Sequence, residues 1–168
     1  MELAELNALE EREFTDLLGA VFEHSPWVAQ RTWRKRPFAS LDDLHESMMA
    51  TVRGAAGAEQ LRLVRAHPEL AGSAAQEGSL SADSSSEQGR LGFTRLSPDE
   101  LATMAGLNRA YRERHGFPCI VALRLHATRA SVMAEMRRRI ANDSDAELEN
   151  ALEQIGHITR GRLDKWVS

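Results

Sequence analysis

Residues 97–118 read SPDELATMAGLNRAYRERHGFP, the strongest local signal in the chain. Ser97 stands where an N-cap belongs, Pro98 occupies the first helical position, and Glu100 is the acid that can reach back to the cap. Leu101, Met104, Ala105, Asn108 and Tyr111 then recur at helical spacing on one face. Gly116 marks the stop, and Pro118 forbids continuation. A helix from Pro98 to about His115 is therefore predicted.

The same punctuation extends in both directions. Downstream, Cys119 to Leu123 is a short apolar run (CIVAL) that fits a strand, a buried extended stretch or a helical turn. No other segment reads convincingly as a strand, so the extended or helical-turn reading is kept. Thr128 caps a helix to about Ala141, and Ser144 with Glu147 forms a further capping box opening a last helix through Leu163. Upstream, Asn7 and Glu10 suggest a box opening a helix toward His24, and Ser25-Pro26 ends it or starts the next turn. Ser40 with Asp43 caps a helix carrying Leu41, Leu44, Met48 and Val52, closing near Gly54 or Gly57. Another runs from about Ala58 to Ala66 and stops at His67-Pro68. Residues 71–97 are rich in Gly, Ser and Ala, a texture that composition alone would assign to a linker. A stretch this long inside one small domain is more often functional or partly helical. A short helix is placed near Asp83 to Gln88. The sum is an all-α chain of six to eight helices, without internal repeats, forming a single domain over 1–168.

Composition bounds the function. The chain has 168 residues, 42% hydrophobic and 27% charged, enough for one domain with a real core. With 21 basic against 25 acidic residues the net charge is −4, which argues against a nucleic-acid partner. No apolar run approaches the roughly 18 residues of a membrane span. The opening MELAELNALEERE is acidic and lacks an apolar run, so no secretory leader is expected. The closing Trp-Val-Ser is not a peroxisomal signal. A single cysteine, Cys119, excludes an internal disulfide. A cytoplasmic location is expected. The six histidines include no HExxH and no close metal spacing, so no metal site is expected.

Three features can carry chemistry. Pro68 disfavours helix at His67, so the imidazole is displayed at a helix C-terminus, where the dipole favours its protonated form. It serves either as an ordinary cap or as a proton donor working near neutral pH. Glu87-Gln88 follows Ser84, Ser85 and Ser86 in a segment where an acid has no packing task. Glu87 is either a solvated acid or the partner that orients His67. Gly116-Phe117-Pro118 ahead of residues 119–123 forces extended backbone with unpaired N–H groups, and Arg124 follows. These groups either bind a ligand's carbonyls or anion, or simply form a buried turn. Other candidates read more plainly. Cys119 reads as a buried, inert thiol. The basic run Arg31 to Arg36 reads as a solvated helix end, and Arg137 to Arg139 as cations suited to the end of their helix.

Taken together, FEHSPWVAQ (22–30), RPF (36–38), RAHPELAG (65–72), SSSEQGRLGF (84–93), LNRAYRERHGFPC (107–119) and ALEQIGHITRGRL (151–163) resemble the OHCU decarboxylase family, in order and nearly along the whole chain. The family's substrate is 2-oxo-4-hydroxy-4-carboxy-5-ureidoimidazoline (OHCU), the last intermediate between urate and allantoin. The resemblance implies an all-helical, cofactor-independent homodimer. It places the catalytic His at His67 and its carboxylate partner at Glu87. Substrate contacts fall on Pro68, on Ser84, Ser85, Ser86, Glu87 and Gln88, and on Cys119, Ile120, Val121, Ala122 and Leu123, with Arg124 matching a family Arg. The product it implies is (S)-allantoin. One departure stands out. The family pattern Phe-Gly-Phe-Pro-Phe is here His115-Gly-Phe-Pro-Cys119, which implies a reshaped pocket wall and leaves open a different ureido or carboxy-heterocycle. The competing reading is a non-enzymatic helical interaction module, in which His67, Glu87 and the 119–123 backbone would not converge.

Overall fold

The computed structural model describes all 168 residues and contains helices only. Ten α-helices are present: α1 (Leu3–Ala8), α2 (Glu11–Leu18), α3 (Trp27–Thr32), α4 (Leu41–Arg53), α5 (Gly57–Ala66), α6 (Ser73–Glu77), α7 (Ala82–Arg90), α8 (Pro98–His115), α9 (Arg129–Ile140) and α10 (Ser144–Leu163). Three-residue 3-10 turns lie at Trp33–Lys35 and Leu123–Leu125. The all-α expectation stands. The surplus over six to eight helices is in α1, α3 and α6, which run to six residues or fewer. Helices this short have little stability of their own and leave a weak periodic trace. No helix is long and apolar enough to cross a membrane.

The chain forms two compact units: Met1–Ala66 with Thr159–Ser168, and His67–Ile158. In the first, α2 packs on α3 and α3 on α4. Phe14, Leu18, Phe22, Leu44, Met48, Val52 and Leu63 are fully or almost fully buried, and the Phe14 and Phe38 rings stack at 6.1 Å. Burial of each such side chain contributes about 1.5–3 kcal/mol. The expected cap at Asn7 is not formed. Glu10 caps α2 instead, with Glu13 completing the box. The Asn7 amide is used across the unit, donating to the Phe38 carbonyl and accepting the Phe38 N–H at 2.9 and 2.8 Å. The basic run is folded into the same unit. Arg31 lies over Trp27 and pairs with Glu59 at 2.5 Å, while Arg36 lies over Trp33 and donates to the carbonyls of Asn7 and Leu9. A buried pair, Arg162 and Glu23 at 2.9 Å, joins the last turn of α10 to the 21–25 stretch.

In the second unit, α8 begins as its sequence specifies. Ser97 Oγ accepts the Glu100 N–H, Glu100 returns the bond, and Gly116 closes the helix at φ 79°. Helix α8 packs on α9, which Thr128 caps. Residues 71–97 are not a linker but hold α6 and α7. The predicted box at Ser144 is displaced by one residue. Asp143 supplies the cap, its Oδ1 accepting the Asp145 and Ala146 N–H groups, and Ser144 is already helical. Glu147 is thereby released from capping and is completely buried.

Candidate functional site

The three features that can carry chemistry, His67-Pro68, residues 84–88 and residues 116–124, lie in the second unit. Helix α5 ends at Ala66, as Pro68 requires, and His67 follows with 6% of its surface exposed. The next residues form a tight turn, Gly72 N–H bonding back to the Glu69 carbonyl. Ala71 adopts φ 51°, the left-handed region that a side chain enters at a cost of order 1 kcal/mol. The turn is held from outside. Gln88 Oε1 accepts the Ala71 N–H at 2.9 Å, and Gln88 Nε2 donates to the Glu69 carbonyl at 3.4 Å. Asn108 Nδ2 donates to the Leu70 carbonyl at 2.8 Å, and Arg112 pairs with Glu69. Three consecutive residues after Pro68 are thus fixed from α7 and α8.

Helix α7 carries the serine-rich motif. Ser81 caps it, accepting the Ser84 N–H. Helical spacing then sorts the residues. Ser84 and Gln88, four apart, are buried, and Glu87 is half-buried beside them. Ser85 and Ser86 are exposed on the other side. The Gln88 carboxamide is turned onto the 69–71 backbone, which leaves one lone pair and one N–H for a ligand. One turn on from Glu87, Arg90 donates to the Leu123 carbonyl and, at 2.8 Å, to the His126 carbonyl. Helix α7 therefore joins the His67 turn on one side to the 119–126 stretch on the other. That stretch is the extended form anticipated above. Cys119 to Leu123 are all buried and make no regular structure before the 3-10 turn. The Ala122 N–H is taken by Gln154 Oε1 at 2.8 Å, whereas the N–H groups of Ile120, Val121 and Leu123 make no backbone hydrogen bond. Arg124 is exposed and donates to the His157 carbonyl at 3.2 Å.

Behind the stretch lies a buried polar cluster that the sequence reading missed. Arg139 Nη1 donates to the Ile120 carbonyl at 2.6 Å, and its Nε to Glu147 at 2.7 Å. Tyr111, Asn142 and Asn150 also donate to Glu147. Burial works against the Glu147 charge, but these four donors overcome it and hold the carboxyl below its ordinary value. Burial also opposes the Arg139 charge and is outweighed by Cys119, Glu147 and Tyr111. The Cys119 thiol, 1% exposed, is pushed up to about 12 by burial, Arg139 partly offsetting this. Position 119 is thus enclosed beside this cluster. Only Asn108 and Tyr111 had left a signal, as polar groups on the apolar face of α8. Arg90, Arg139, Glu147 and Gln154 left none.

An open cleft of about 820 Å³ is lined by residues including Arg90, Arg95, Glu100, Thr128 and Arg129, and by neither His67 nor Glu87. No group of three or more His, Cys, Asp or Glu is placed to hold a metal ion.

Comparison with known proteins gives a consistent picture. Residues 7–164 match the family model described as OHCU decarboxylase. The chain is 37% identical over 163 residues to the 2-oxo-4-hydroxy-4-carboxy-5-ureidoimidazoline decarboxylase of Mus musculus, covering 97% of this chain and 91% of that protein. It is 35% identical over 165 residues to the protein of the same name from Halalkalicoccus jeotgali, with 98% and 91% covered. Among solved structures, it is similar to that of an (S)-allantoin synthase, with TM-score 0.79 and 28% identity, over 99% of this chain and 54% of that one.

Proposed function

The chain belongs to the OHCU decarboxylase family, and from that membership we infer that it converts 2-oxo-4-hydroxy-4-carboxy-5-ureidoimidazoline to (S)-allantoin and CO₂, the last step of urate degradation to allantoin. One structural observation supports the reading above the rest. Helix α7, which carries Glu87, is hydrogen-bonded through Gln88 to the turn after His67 and through Arg90 to the end of the 119–123 stretch. An interaction module has no need of that convergence.

The chemistry asks for little beyond positioning. The bond between the ring carbon and the carboxylate breaks, CO₂ leaves, and the electron pair passes to the conjugated ring C=N. The carbon that loses CO₂ keeps its hydroxyl as an enol. As that hydroxyl gives up its proton and becomes the ring carbonyl, the neighbouring ureido-bearing carbon takes a proton from one face, which sets a single enantiomer, and the ring nitrogen that accepted the electron pair is protonated. No cofactor is required, since the substrate is its own electron sink. His67 handles proton exchange at the hydroxyl-bearing centre. Glu87 orients His67 or the ureido group. Pro68 and Ser84 line the site, and Gln88 secures the turn while offering its remaining amide capacity to the ureido group. The unused N–H groups of the 119–123 stretch receive carbonyl oxygens, in fixed positions that need no reorganisation during reaction. Ala122 contributes through its bond to Gln154. Ser85, Ser86 and Arg124, exposed in this chain, are the outlying members of the contact set. The reading includes a single functional domain and a homodimer, both implied by the family resemblance, and a cytoplasmic location, for which the single cysteine speaks.

The test generates the substrate in situ from urate with the two preceding enzymes and follows allantoin by circular dichroism. Rapid appearance of one enantiomer is expected. H67A should lower kcat by about 10²–10⁴ while KM changes little, because a proton donor acts on turnover. A wild-type rate equal to the spontaneous, racemic background would overturn the reading.

A further inference from the structure

We propose that Arg139, braced by Glu147, is a positioning residue that aims the Cys119–Leu123 backbone, and in particular the Val121 N–H, at the substrate. The proposal rests on the decarboxylase reading for what the backbone is aimed at, but not for the aiming itself.

Up to Ala122 the stretch has no helix or strand to define its direction. It follows the helix stop at Gly116 and Pro118 and is buried throughout. Two side chains hold its middle. Arg139 Nη1 donates to the Ile120 carbonyl at 2.6 Å, and Gln154 Oε1 accepts the Ala122 N–H at 2.8 Å. A peptide unit is planar and trans, so its C=O and N–H point opposite ways. Holding the Ile120 carbonyl on Arg139 therefore turns the Val121 N–H away from Arg139. Holding the Ala122 N–H on Gln154 turns the Val121 carbonyl away from Gln154. Both peptide planes flanking Val121 are set, and the Val121 N–H itself makes no backbone bond.

The brace is arranged to keep the guanidinium still. Both oxygens of Glu147 are occupied, Oε1 by Arg139 and Tyr111, Oε2 by Asn142 and Asn150. The pair is 4% and 0% exposed. A buried ion pair is a poor source of net stability, since apolar residues of similar volume often do as well. Arg139 Nη2 is moreover buried with no hydrogen-bond partner, a further cost. A planar guanidinium bonded through Nε to a fixed carboxylate and through Nη1 to one carbonyl supplies direction, which apolar residues would not. The neighbouring Arg137 and Arg138 are exposed and have no such task.

The test compares wild type with R139K and with R139M/E147L, in which both charges leave together, using R138K as control. Lysine keeps a cation near Glu147 but lacks the fork that spans both partners. Two readouts are taken on the full chain. Amide hydrogen exchange at Ala122, which needs no substrate, is expected to speed up at least tenfold in R139K, with little change in α8. Turnover of enzymatically generated OHCU is expected to show KM raised at least tenfold and kcat changed less than threefold. R138K should leave both unchanged. If R139K does not fold, the double variant gives the same readouts. Unchanged exchange at Ala122 in a folded variant overturns the aiming. Faster exchange with unchanged KM overturns its role toward substrate. If wild type does not turn over OHCU, the decarboxylase reading fails, and the exchange result still decides whether Arg139 holds the stretch.

Discussion

Cys119 shows how a single side chain is governed by its surroundings. It lies inside an apolar run and next to a carboxylate, and its thiol is pushed from 9.0 up to about 12, chiefly by burial. The thiolate is the reactive form. At pH 8 the thiolate fraction is then about a thousandfold lower than for an ordinary thiol of this kind, and access is restricted as well. Native protein should therefore react with an aromatic disulfide reagent at least about a hundredfold more slowly than urea-unfolded protein. Comparable rates in the two states would place the thiol in an open pocket. His67 differs in kind. Its neighbours Glu69, Leu70 and Ala71 are individually fixed by Arg112, Asn108 and Gln88, so the left-handed Ala71 is carried by bonds from two helices. The turn after His67 is specified by side chains that are remote in sequence.

At the scale of elements, capping chemistry decides most of the architecture. Ser97 in α8 is a reciprocal cap on an eighteen-residue helix that supplies Asn108, Tyr111 and Arg112. S97A should cost about 1 kcal/mol in urea unfolding while KM stays unchanged, because the cap lies about three helical turns before Asn108, the first α8 residue to hold the turn. A loss several times larger would mean that Ser97 does more than cap. The same chemistry explains which elements can be read from sequence. Helices α4, α5, α8 and α9 announce themselves through Ser40, Pro68, Ser97 and Thr128, each with a local rule and no rival. Asn7 and Ser144 obey the same rule and fail for different reasons: Asn7 lies within α1 and its amide is taken by the Phe38 backbone, while Asp143, an equally able cap, stands one residue before Ser144. His67 and Glu87 stand out in the sequence as candidates through Pro68 and the unpacked acid. Arg139 and Glu147 do not. Local rules describe the first as a cation ending one helix and the second as an acid opening the next, both solvated. Tertiary packing makes them a buried pair, with Tyr111 of α8 and the Ile120 carbonyl placed against them.

For the molecule as a whole, Glu147 links stability to pH. Its carboxyl is held below its ordinary value of 4.5 in the fold, its hydrogen-bond donors prevailing over the opposing effect of burial. The charged form is thus favoured by the native state. The corresponding stabilisation is complete above the unfolded value and is lost as pH falls through the folded one. Thermal unfolding of wild type should drop steeply below about pH 4.5, and E147Q, less stable at pH 7, should show a shallower fall over the same range. Parallel curves would assign the acid sensitivity to other carboxylates. The division into units has a different consequence. Met1–Ala66 belongs with Thr159–Ser168, while His67–Ile158 is one continuous run. As the chain emerges from a ribosome, the interrupted unit comes first and finishes last. Glu23 has to wait for Arg162, 139 residues later, before its buried charge is matched. A transcript broken shortly after residue 158 would yield a polypeptide with a complete second half and an open first half. In such a fragment the Arg162 bonds to Glu23 and to the Val21 carbonyl are missing, which leaves the 21–25 stretch of the first unit more open to chaperones and proteases.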